Sequence, residues 1–305
     1  MTKKNKVLMG ILVLLLCLSV TLYQFVLVPN YRAREEEKIN SEKKKTREQA
    51  LQKEHEEAKQ IKKELQEQID AYLQNEKIDT SGVSIYIETM DDEIVYDLNG
   101  DVQRVAASTY KLPLAVIWYD KVNANEIALD DTLTYLPNCY EEGGPIGANY
   151  EMGSEIPLEE LLEEMIVNSD NTAGHILFEH LGGWCAFKEV ASNYSNAPLS
   201  DEFFSIDNYL SAHYASDIVN HIWKYQDGYA KLIDDMQLAM PHQYLDQTIK
   251  IKMAQKYGEY DAYENAVGFV PCKRTYSICV YTDLGTKGID MMAEINVIAY
   301  QVLNA

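Results

Sequence analysis

The longest apolar segment of the chain lies near its amino terminus. Residues 7–28 contain no charged residue, and three lysines lie among the first six residues. At about 1.5 Å of rise per residue, a helix of this length crosses a bilayer core of roughly 30 Å. The segment ends without the small-residue site typical of a cleaved signal peptide. We predict an uncleaved cell-membrane anchor over residues 1–28, with the lysines in the cytoplasm and the rest of the chain extracellular.

The next segment, residues 29–76, is dominated by charged residues. From 31 to 76 it contains 11 basic and 12 acidic residues and no Gly or Pro, which is typical of a solvated helix with many ion pairs. Four apolar positions recur every seven residues: Leu51, Ala58, Leu65 and Tyr72. Glu54 and Gln68 occupy partner positions, so a coiled-coil dimer has little support. We predict a single helical stalk, and weak self-association through it is the alternative.

From residue 77 to 305 the pattern is that of a globular domain. Period-two alternation over 83–87, followed after a short polar turn by 93–96, predicts a β-hairpin. A second hairpin is predicted from 266–270 and 277–281. A strand is also expected over 251–256, with a loop opening at Tyr257-Gly258.

Between and after these strands the apolar residues follow a helical period. Helices are predicted over about 108–121, 156–166, 172–181, 184–190, 211–225, 229–240 and 289–304. Two strands, a helix-rich middle, three strands and a last helix indicate an α+β domain. Its antiparallel sheet must combine strands from both ends of the chain, with the middle forming a helical subdomain.

The charge of this domain excludes one class of partner. From residue 77 onward there are 13 basic and 36 acidic residues, so the domain should repel nucleic acid. Its four cysteines form no C-x-x-C pair and no zinc-ligand spacing, and we predict no metal. We expect free thiols, with a Cys272–Cys279 disulfide across the second hairpin as the alternative.

The candidate chemistry begins at the start of the 108–121 helix. Ser108 and Lys111 lie three residues apart and share a helix face, so the amine can serve as base if burial lowers its pKa. The same spacing occurs at Ser41 and Lys44 in the stalk, so the spacing alone is not specific. Two more polar motifs follow at an interhelical loop and at a strand end: Ser169-Asp170-Asn171 and Lys256-Tyr257-Gly258.

In this order and context the three motifs closely resemble the S-x-x-K, S-D-N and K-T-G signature of class A β-lactamases and penicillin-binding proteins. The sequence of residues 168–183 also resembles the segment that contains S-D-N in this family. The resemblance as a whole covers about residues 80–305. It implies a β-lactamase-like fold and a serine acyl-enzyme mechanism. It implies no cofactor.

The resemblance also implies a role for each residue. Ser108 would be the nucleophile, Lys111 its base, and the Ser169 hydroxyl a proton relay to the leaving nitrogen. Asn171 would bind the substrate amide and hold Lys111, and Lys256 would supply positive potential for a substrate carboxylate. The rest of the substrate-binding set would be Tyr257, Gly258 and Glu259, with backbone N–H groups of Ser108 and Glu259 forming the oxyanion hole.

Two departures from the family pattern limit the expected activity. Tyr257 stands where the family has a Thr or Ser hydroxyl that helps to bind a carboxylate. The family's deacylating glutamate, which is followed shortly by Leu-Asn, has no counterpart at the acids we considered, Asp201 and Glu202.

We therefore predict a membrane-anchored, extracytoplasmic serine hydrolase that acts on a cell-wall peptide amide or a β-lactam and deacylates slowly. The alternatives are a true class A β-lactamase with a divergent deacylation base, and a non-catalytic module that binds the cell wall or a partner.

Overall fold

The computed structural model describes residues 2–249 and 251–305, so Met1 of the predicted anchor lies outside the described residues. The chain divides into two compact units, one ending at Glu57 and the other comprising Ala58–Ala305. The first unit contains α1 (Lys3–Leu22), a π-helical turn (Tyr23–Leu27) and the first part of α2 (Val28–Asn75). The helical segment Lys3–Val26 has a mean hydropathy of 2.3 and is long and apolar enough to cross a membrane; a signal sequence can meet the same criteria.

The centre of the second unit is a five-stranded antiparallel sheet in the order β2-β1-β9-β8-β7. Its strands are β1 (Val83–Thr89), β2 (Val95–Leu98), β7 (Ala254–Tyr260), β8 (Tyr263–Val270) and β9 (Tyr276–Thr282). Both predicted hairpins are confirmed, as β1–β2 and β8–β9. Because β1 pairs with β9, the sheet joins the two ends of the domain as expected for this α+β fold.

Short strands and helices fill the region between β2 and β7. The short strands form two pairs: β3 (Arg104–Val105) with β6 (Tyr209–Leu210), and β4 (Thr132–Thr134) with β5 (Glu155–Pro157). The helices are α3 (Lys111–Asn123), α4 (Pro145–Asn149), α5 (Leu158–Val167), α6 (Asn171–Glu179), α7 (Trp184–Ala191), α8 (Ala212–Lys224) and α9 (Ala230–Leu238). A last helix, α10 (Thr286–Leu303), follows β9. Every predicted helix of the domain is present, within a few residues at each end.

The sheet is buried on both faces, because successive side chains of β9 pack alternately into two different cores. Cys279 and Tyr281 belong to a core shared with the α3–α8 region, whereas Ile278 and Val280 belong to a second core shared with α10. All five cysteines are free thiols, so the alternative of a Cys272–Cys279 disulfide is wrong.

The secondary structure predicted for the third polar motif, Lys256-Tyr257-Gly258, is wrong. We expected the strand to end at Lys256 and a loop to open at Tyr257-Gly258. In the structure β7 continues to Tyr260, and all three motif residues pair with β8: Lys256 with Val267, Tyr257 with Ala266, and Gly258 with Asn265. A glycine normally indicates a turn, but within a strand it marks a close approach of another backbone.

The last turns of α2 belong to the domain rather than to a free stalk. Four residues on one face of α2 are buried in the second core: Ala58, Leu65, Ile69 and Leu73. The compact unit therefore begins at Ala58, whereas the sequence placed the domain boundary at residue 77. Packing within one chain already accounts for these apolar positions, and self-association through the stalk stays a prediction.

Replacing Ile69 by Ala tests this packing. Ile69 is fully buried, so its truncation leaves a cavity, and we expect the free energy of unfolding to fall by about 2–5 kcal/mol. Denaturant titration of the full chain in detergent measures the change. Lys62→Ala, on an exposed face of the same helix, is the control. Equal stability of the two variants would show that α2 does not support the domain.

Candidate active site

Ser108 lies in a 3₁₀ turn, Ala107–Tyr110, that leads directly into α3. The residue before it, Ala107, has φ of +47°, a left-handed conformation that costs energy in a residue with a side chain. Asn208 holds the turn in place: its carbonyl accepts a hydrogen bond from Ala106 N–H at 2.8 Å, and its Nδ2 donates to the Ala107 carbonyl at 2.5 Å. The strained turn keeps the Ser108 side chain partly exposed at a fixed position.

The Lys111 amine is fully buried and surrounded by oxygen atoms. Its Nζ donates to Ser108 Oγ at 3.0 Å and to Asn171 Oδ1 at 2.6 Å. It also lies 2.6 Å from the Ser169 carbonyl and 3.2 Å from Ser169 Oγ. Burial lowers the pKa of Lys111 to about 7, although the charges of Asp170 and Glu141 oppose that shift. A large fraction of neutral amine is therefore present near pH 7, within hydrogen-bonding distance of the serine.

Asp170 explains why Ser169 and Asn171 face this amine. It is the N-cap of α6: its Oδ1 accepts from Ala173 N–H at 2.8 Å and its Oδ2 accepts from Ile146 N–H at 2.8 Å. Both oxygens of this fully buried carboxylate are thus used to hold the loop between α5 and α6. Asp170 acts as a structural anchor, and the residues on either side of it are presented to Lys111.

A second buried lysine completes the cluster. Lys256 Nζ donates to Ser169 Oγ at 3.1 Å and to the Tyr257 carbonyl at 2.7 Å, and no part of the side chain is exposed. Burial, together with the nearby Lys111 charge, lowers the pKa of Lys256 well below its usual value. The Ser169 hydroxyl therefore lies between two amines, a position from which it can pass a proton in either direction.

Gly258 lets strand β7 run directly against the Ser108 turn. A Cβ at this position would lie 2.8 Å from the Ser108 backbone N, 2.9 Å from the Ala106 carbonyl oxygen and 3.0 Å from Thr109 N. All three atoms belong to backbone, so the turn would have to move to accept any side chain. Glycine is required here by distance, and Gly258 fixes the separation between Ser108 and the strand.

A cleft of about 480 Å³ opens onto Ser108. It is lined by Val105, Ala107, Ser108, Tyr110, Glu141, Asn171, Asp207, Asn208, Tyr209, Glu259 and Tyr260. Of the residues predicted from sequence, Ser108, Asn171 and Glu259 thus line the cleft, while Lys111, Ser169 and Lys256 are joined to Ser108 or to each other by hydrogen bonds. Their catalytic roles stay predictions. A larger surface cavity, about 630 Å³ beside Asp120 and Tyr229, contains none of them.

Several cleft residues were not predicted from the sequence, among them Glu141, Asp207 and Asn208. Asp201 and Glu202, which we considered there, are exposed and do not line the cleft. Asp207 belongs to the same loop and does line it. Asp207 lies two residues before β6, the strand that pairs with β3 just ahead of the Ser108 turn, and the sequence pattern did not predict this short strand. Within residues 2–249 and 251–305, no group of three or more His, Cys, Asp or Glu side chains could hold a metal ion.

Comparison with known proteins agrees with this geometry. The model of the beta-lactamase enzyme family matches residues 63–304, and the chain belongs to that family. No protein among curated sequences matches the chain.

Solved structures show the same fold at low sequence identity. A mutant of PBP-A, solved as its acyl-enzyme complex with penicillin G, is 20% identical with a TM-score of 0.67; the match covers 78% of this chain and 95% of that one. The extended-spectrum β-lactamase TLA-3 is 19% identical with a TM-score of 0.67, covering 79% and 98%. A class A β-lactamase from Bacteroides cellulosilyticus is 21% identical with a TM-score of 0.67, covering 80% and 98%. The predicted family resemblance and fold are confirmed.

The pKa of Lys111 predicts the pH dependence of Ser108 acylation. Below a pKa of about 7 the amine is protonated and cannot accept the serine proton. The acylation rate should therefore rise with pH up to about 7 and level off above it, by up to about tenfold per unit on the acid side. The profile is measured as the rate at which the Ser108 adduct forms, followed by mass spectrometry from about pH 5 to about pH 9.

Lys188 provides the matched control for that profile. It is also buried with a pKa lowered to about 7, but its Nζ donates to the Tyr209 carbonyl at 3.0 Å instead of to Ser108. Lys188→Met should leave the position of the acid limb unchanged, even if the rate falls. If the acid limb of the pH profile disappears in Lys188→Met, the group that titrates is Lys188 and not Lys111.

Gly258→Ala should reduce acylation without unfolding the protein. The new methyl group would collide with the backbone of the Ser108 turn, and misplacing a reacting group by about 1 Å costs on the order of 100-fold in rate. The acylation rate and the near-UV circular dichroism are measured together. A folded variant with an undiminished rate would show that the contact between β7 and the turn does not position Ser108.

Proposed function

We propose that this protein is an active-site-serine hydrolase that forms an acyl-enzyme at Ser108. The observation that carries the proposal is the buried Lys111 amine, 3.0 Å from Ser108 Oγ with a pKa lowered to about 7. In such a site the neutral amine takes the hydroxyl proton while Oγ attacks the carbonyl carbon of an amide or lactam. The nearby cluster of Ser169 and Asn171 supports this role because its oxygens hold the amine in place.

The collapse of the tetrahedral intermediate needs a proton on the leaving nitrogen. Ser169 Oγ, hydrogen-bonded to Lys111 and Lys256 at 3.2 and 3.1 Å, is placed for that transfer. The carbon–nitrogen bond breaks, the amine leaves with the relayed proton, and the acyl group stays on Ser108 as an ester. We assign the developing oxyanion to the backbone N–H groups of Ser108 and Glu259.

Release of the acyl group is proposed to be slow. Hydrolysis of the ester requires a base that activates water. Asp201 and Glu202 are exposed and away from the cleft lining, and Asp207 reaches the cleft from an exposed position. An exposed carboxylate does not hold a water molecule at a fixed position beside the Ser108 ester, so the acyl-enzyme should persist. We propose a peptide amide of the cell wall as substrate, and a β-lactam as a slow substitute for it.

Asp207 also supports the second candidate function, a true class A β-lactamase. It is the acid of the α7–β6 loop that lines the cleft with Ser108. In that case Asp207 would activate the deacylating water and β-lactam hydrolysis would be rapid. The two functions differ only in the lifetime of the acyl-enzyme, which is directly measurable.

We further propose that Lys3–Val26 anchors the protein in the cell membrane with the catalytic domain outside. The length and mean hydropathy of the helix support an anchor. The three lysines before it support a cytoplasmic amino terminus. Cleavage of the segment as a signal sequence is the competing outcome, and the molecular mass of the protein recovered from membranes distinguishes them.

Formation of a Ser108 adduct tests the proposal. The full chain in detergent is incubated with benzylpenicillin and, separately, with p-nitrophenyl acetate, and the adduct is located by peptide mass spectrometry. We expect a Ser108 adduct in the wild type that is absent in Ser108→Ala, because Ser108 lines the cleft and its hydroxyl lies 3.0 Å from the buried Lys111 amine, whereas Ser169, which also contacts buried amines, is not part of the cleft lining. Ser41→Ala is the matched control: Ser41 has the same S-x-x-K spacing but lies exposed on α2, bonded to Lys38 O.

The lifetime of the adduct then separates the candidates. A penicillin adduct that persists supports the slow acyl-enzyme. Rapid hydrolysis of a chromogenic cephalosporin that is lost in Asp207→Asn would establish the β-lactamase instead. Absence of any Ser108 adduct with either reagent would refute both and favour a non-catalytic module.

A further inference from the structure

The Lys256 amine is not exposed to the cleft. The side chain is fully buried, and its Nζ lies 3.8 Å from the centre of the Tyr257 ring, which covers it. The same nitrogen donates to the Tyr257 carbonyl and to Ser169. Neither Lys256 nor Tyr257 is part of the cleft lining. A substrate carboxylate in the cleft therefore has no direct path to this amine while the ring stays in place.

The Tyr257 ring is itself held from behind. It stacks on Tyr244, with 5.2 Å between ring centres and 24° between planes. The Tyr244 hydroxyl in turn donates to Glu264 Oε2 at 3.1 Å. Burial raises the pKa of Tyr257, and a hydrogen bond with the Ser169 side chain opposes that rise. With stacking on one side and the relay serine on the other, the ring forms a fixed lid on Lys256.

The charged side chains that line the cleft are all acidic. Three carboxylates line it, those of Glu141, Asp207 and Glu259, and no lysine or arginine is among the described lining residues. Glu141 Oε1 has a neighbour in His175 Nδ1 at 2.9 Å, while Asp207 and Glu259 are exposed. Like charges placed close together repel by an amount that depends on solvent screening. A leaving group that carries a carboxylate should therefore react more slowly than an uncharged one, which agrees with a β-lactam as a slow substitute.

We propose that the cleft selects acyl donors whose leaving group carries no carboxylate, such as peptides ending in a carboxamide, and that two features set this preference: the Tyr257 ring over Lys256 and the exposed carboxylates of Asp207 and Glu259. The inference rests on the proposed acyl-transfer function of Ser108. The reaction is the same in either case: the Ser108 Oγ–carbon bond forms and the bond to the leaving nitrogen, oxygen or sulfur breaks. The preference lies in which leaving group can occupy the cleft beside Tyr257 and the carboxylates.

Two thioesters of one N-acylated dipeptide test the proposal. They differ only in the leaving thiol, mercaptoacetate in one and mercaptoacetamide in the other. Release of thiol and formation of the Ser108 ester are followed for the full chain in detergent. In the wild type we expect the amide-ended donor to acylate Ser108 at least about tenfold faster, because like-charge contacts suppress the other donor.

Three variants assign the preference to its residues. Tyr257→Thr removes the lid and restores a hydroxyl, and it should reduce the ratio between the donors by about tenfold through faster reaction of the carboxylate-ended one. Tyr257→Phe keeps the ring over Lys256 and should keep the ratio. Asp207→Asn combined with Glu259→Gln changes only exposed side chains, and it should reduce the ratio even if Tyr257→Thr fails to fold.

The result also separates this inference from the function on which it rests. Equal or faster acylation of the wild type by the carboxylate-ended donor would overturn the inference, while a Ser108 ester with p-nitrophenyl acetate would still support acyl transfer. A Ser108 ester with p-nitrophenyl acetate but with neither peptide donor would also overturn it. If no reagent acylates Ser108, the proposed function fails and the inference fails with it. A ratio that is unchanged in all three variants would show that other residues set the preference.

Discussion

The burial of two lysine side chains beside a single serine hydroxyl is the constraint on which the site depends. Lys111 and Lys256 are both fully buried, and Ser169 Oγ bridges them. An unpaired buried charge is costly, so such an amine lowers its pKa and is held by oxygen acceptors. The acceptors come from three separate parts of the chain: the Ser108 turn, the loop before α6 and strand β7. The fold must therefore bring all three parts together to offset the cost of burying the two amines.

Several features of the fold serve this convergence. Ala107 and Ser169 both adopt left-handed backbone conformations, with φ of +47° and +55°, and each is a cost that surrounding contacts must offset. Asn208 anchors the first position through the Ala107 carbonyl, and the buried Asp170 carboxylate anchors the second. Asn208 and Asp170 take no part in bond making or bond breaking in the proposed mechanism. Their hydrogen bonds stabilise the strained backbone beside the groups that we propose to react.

The geometry supports our proposal of a site that acylates readily and hydrolyses the ester slowly. Its amines and hydroxyls converge within hydrogen-bonding distance, whereas the carboxylates lie along an open cleft. An exposed carboxylate does not hold a water molecule at a fixed position, but its charge repels an anion. We therefore propose that this distribution of charge favours a long-lived acyl-enzyme and, with Tyr257 covering Lys256, a substrate without a carboxylate on its leaving group.

The sequence alone predicted both hairpins, the main helices and the residues that we propose to react. Alternation identified both hairpins, and the three-residue spacing placed Ser108 and Lys111 on one side, because local periodicity records which face is buried. Only the tertiary structure decided that Gly258 lies inside a strand, that α2 packs on the domain from Ala58, and that Asp207 reaches the cleft. It alone placed the Tyr257 ring over Lys256. Each of these depends on a partner distant in sequence, and local patterns carry no information about which distant segment a residue will meet.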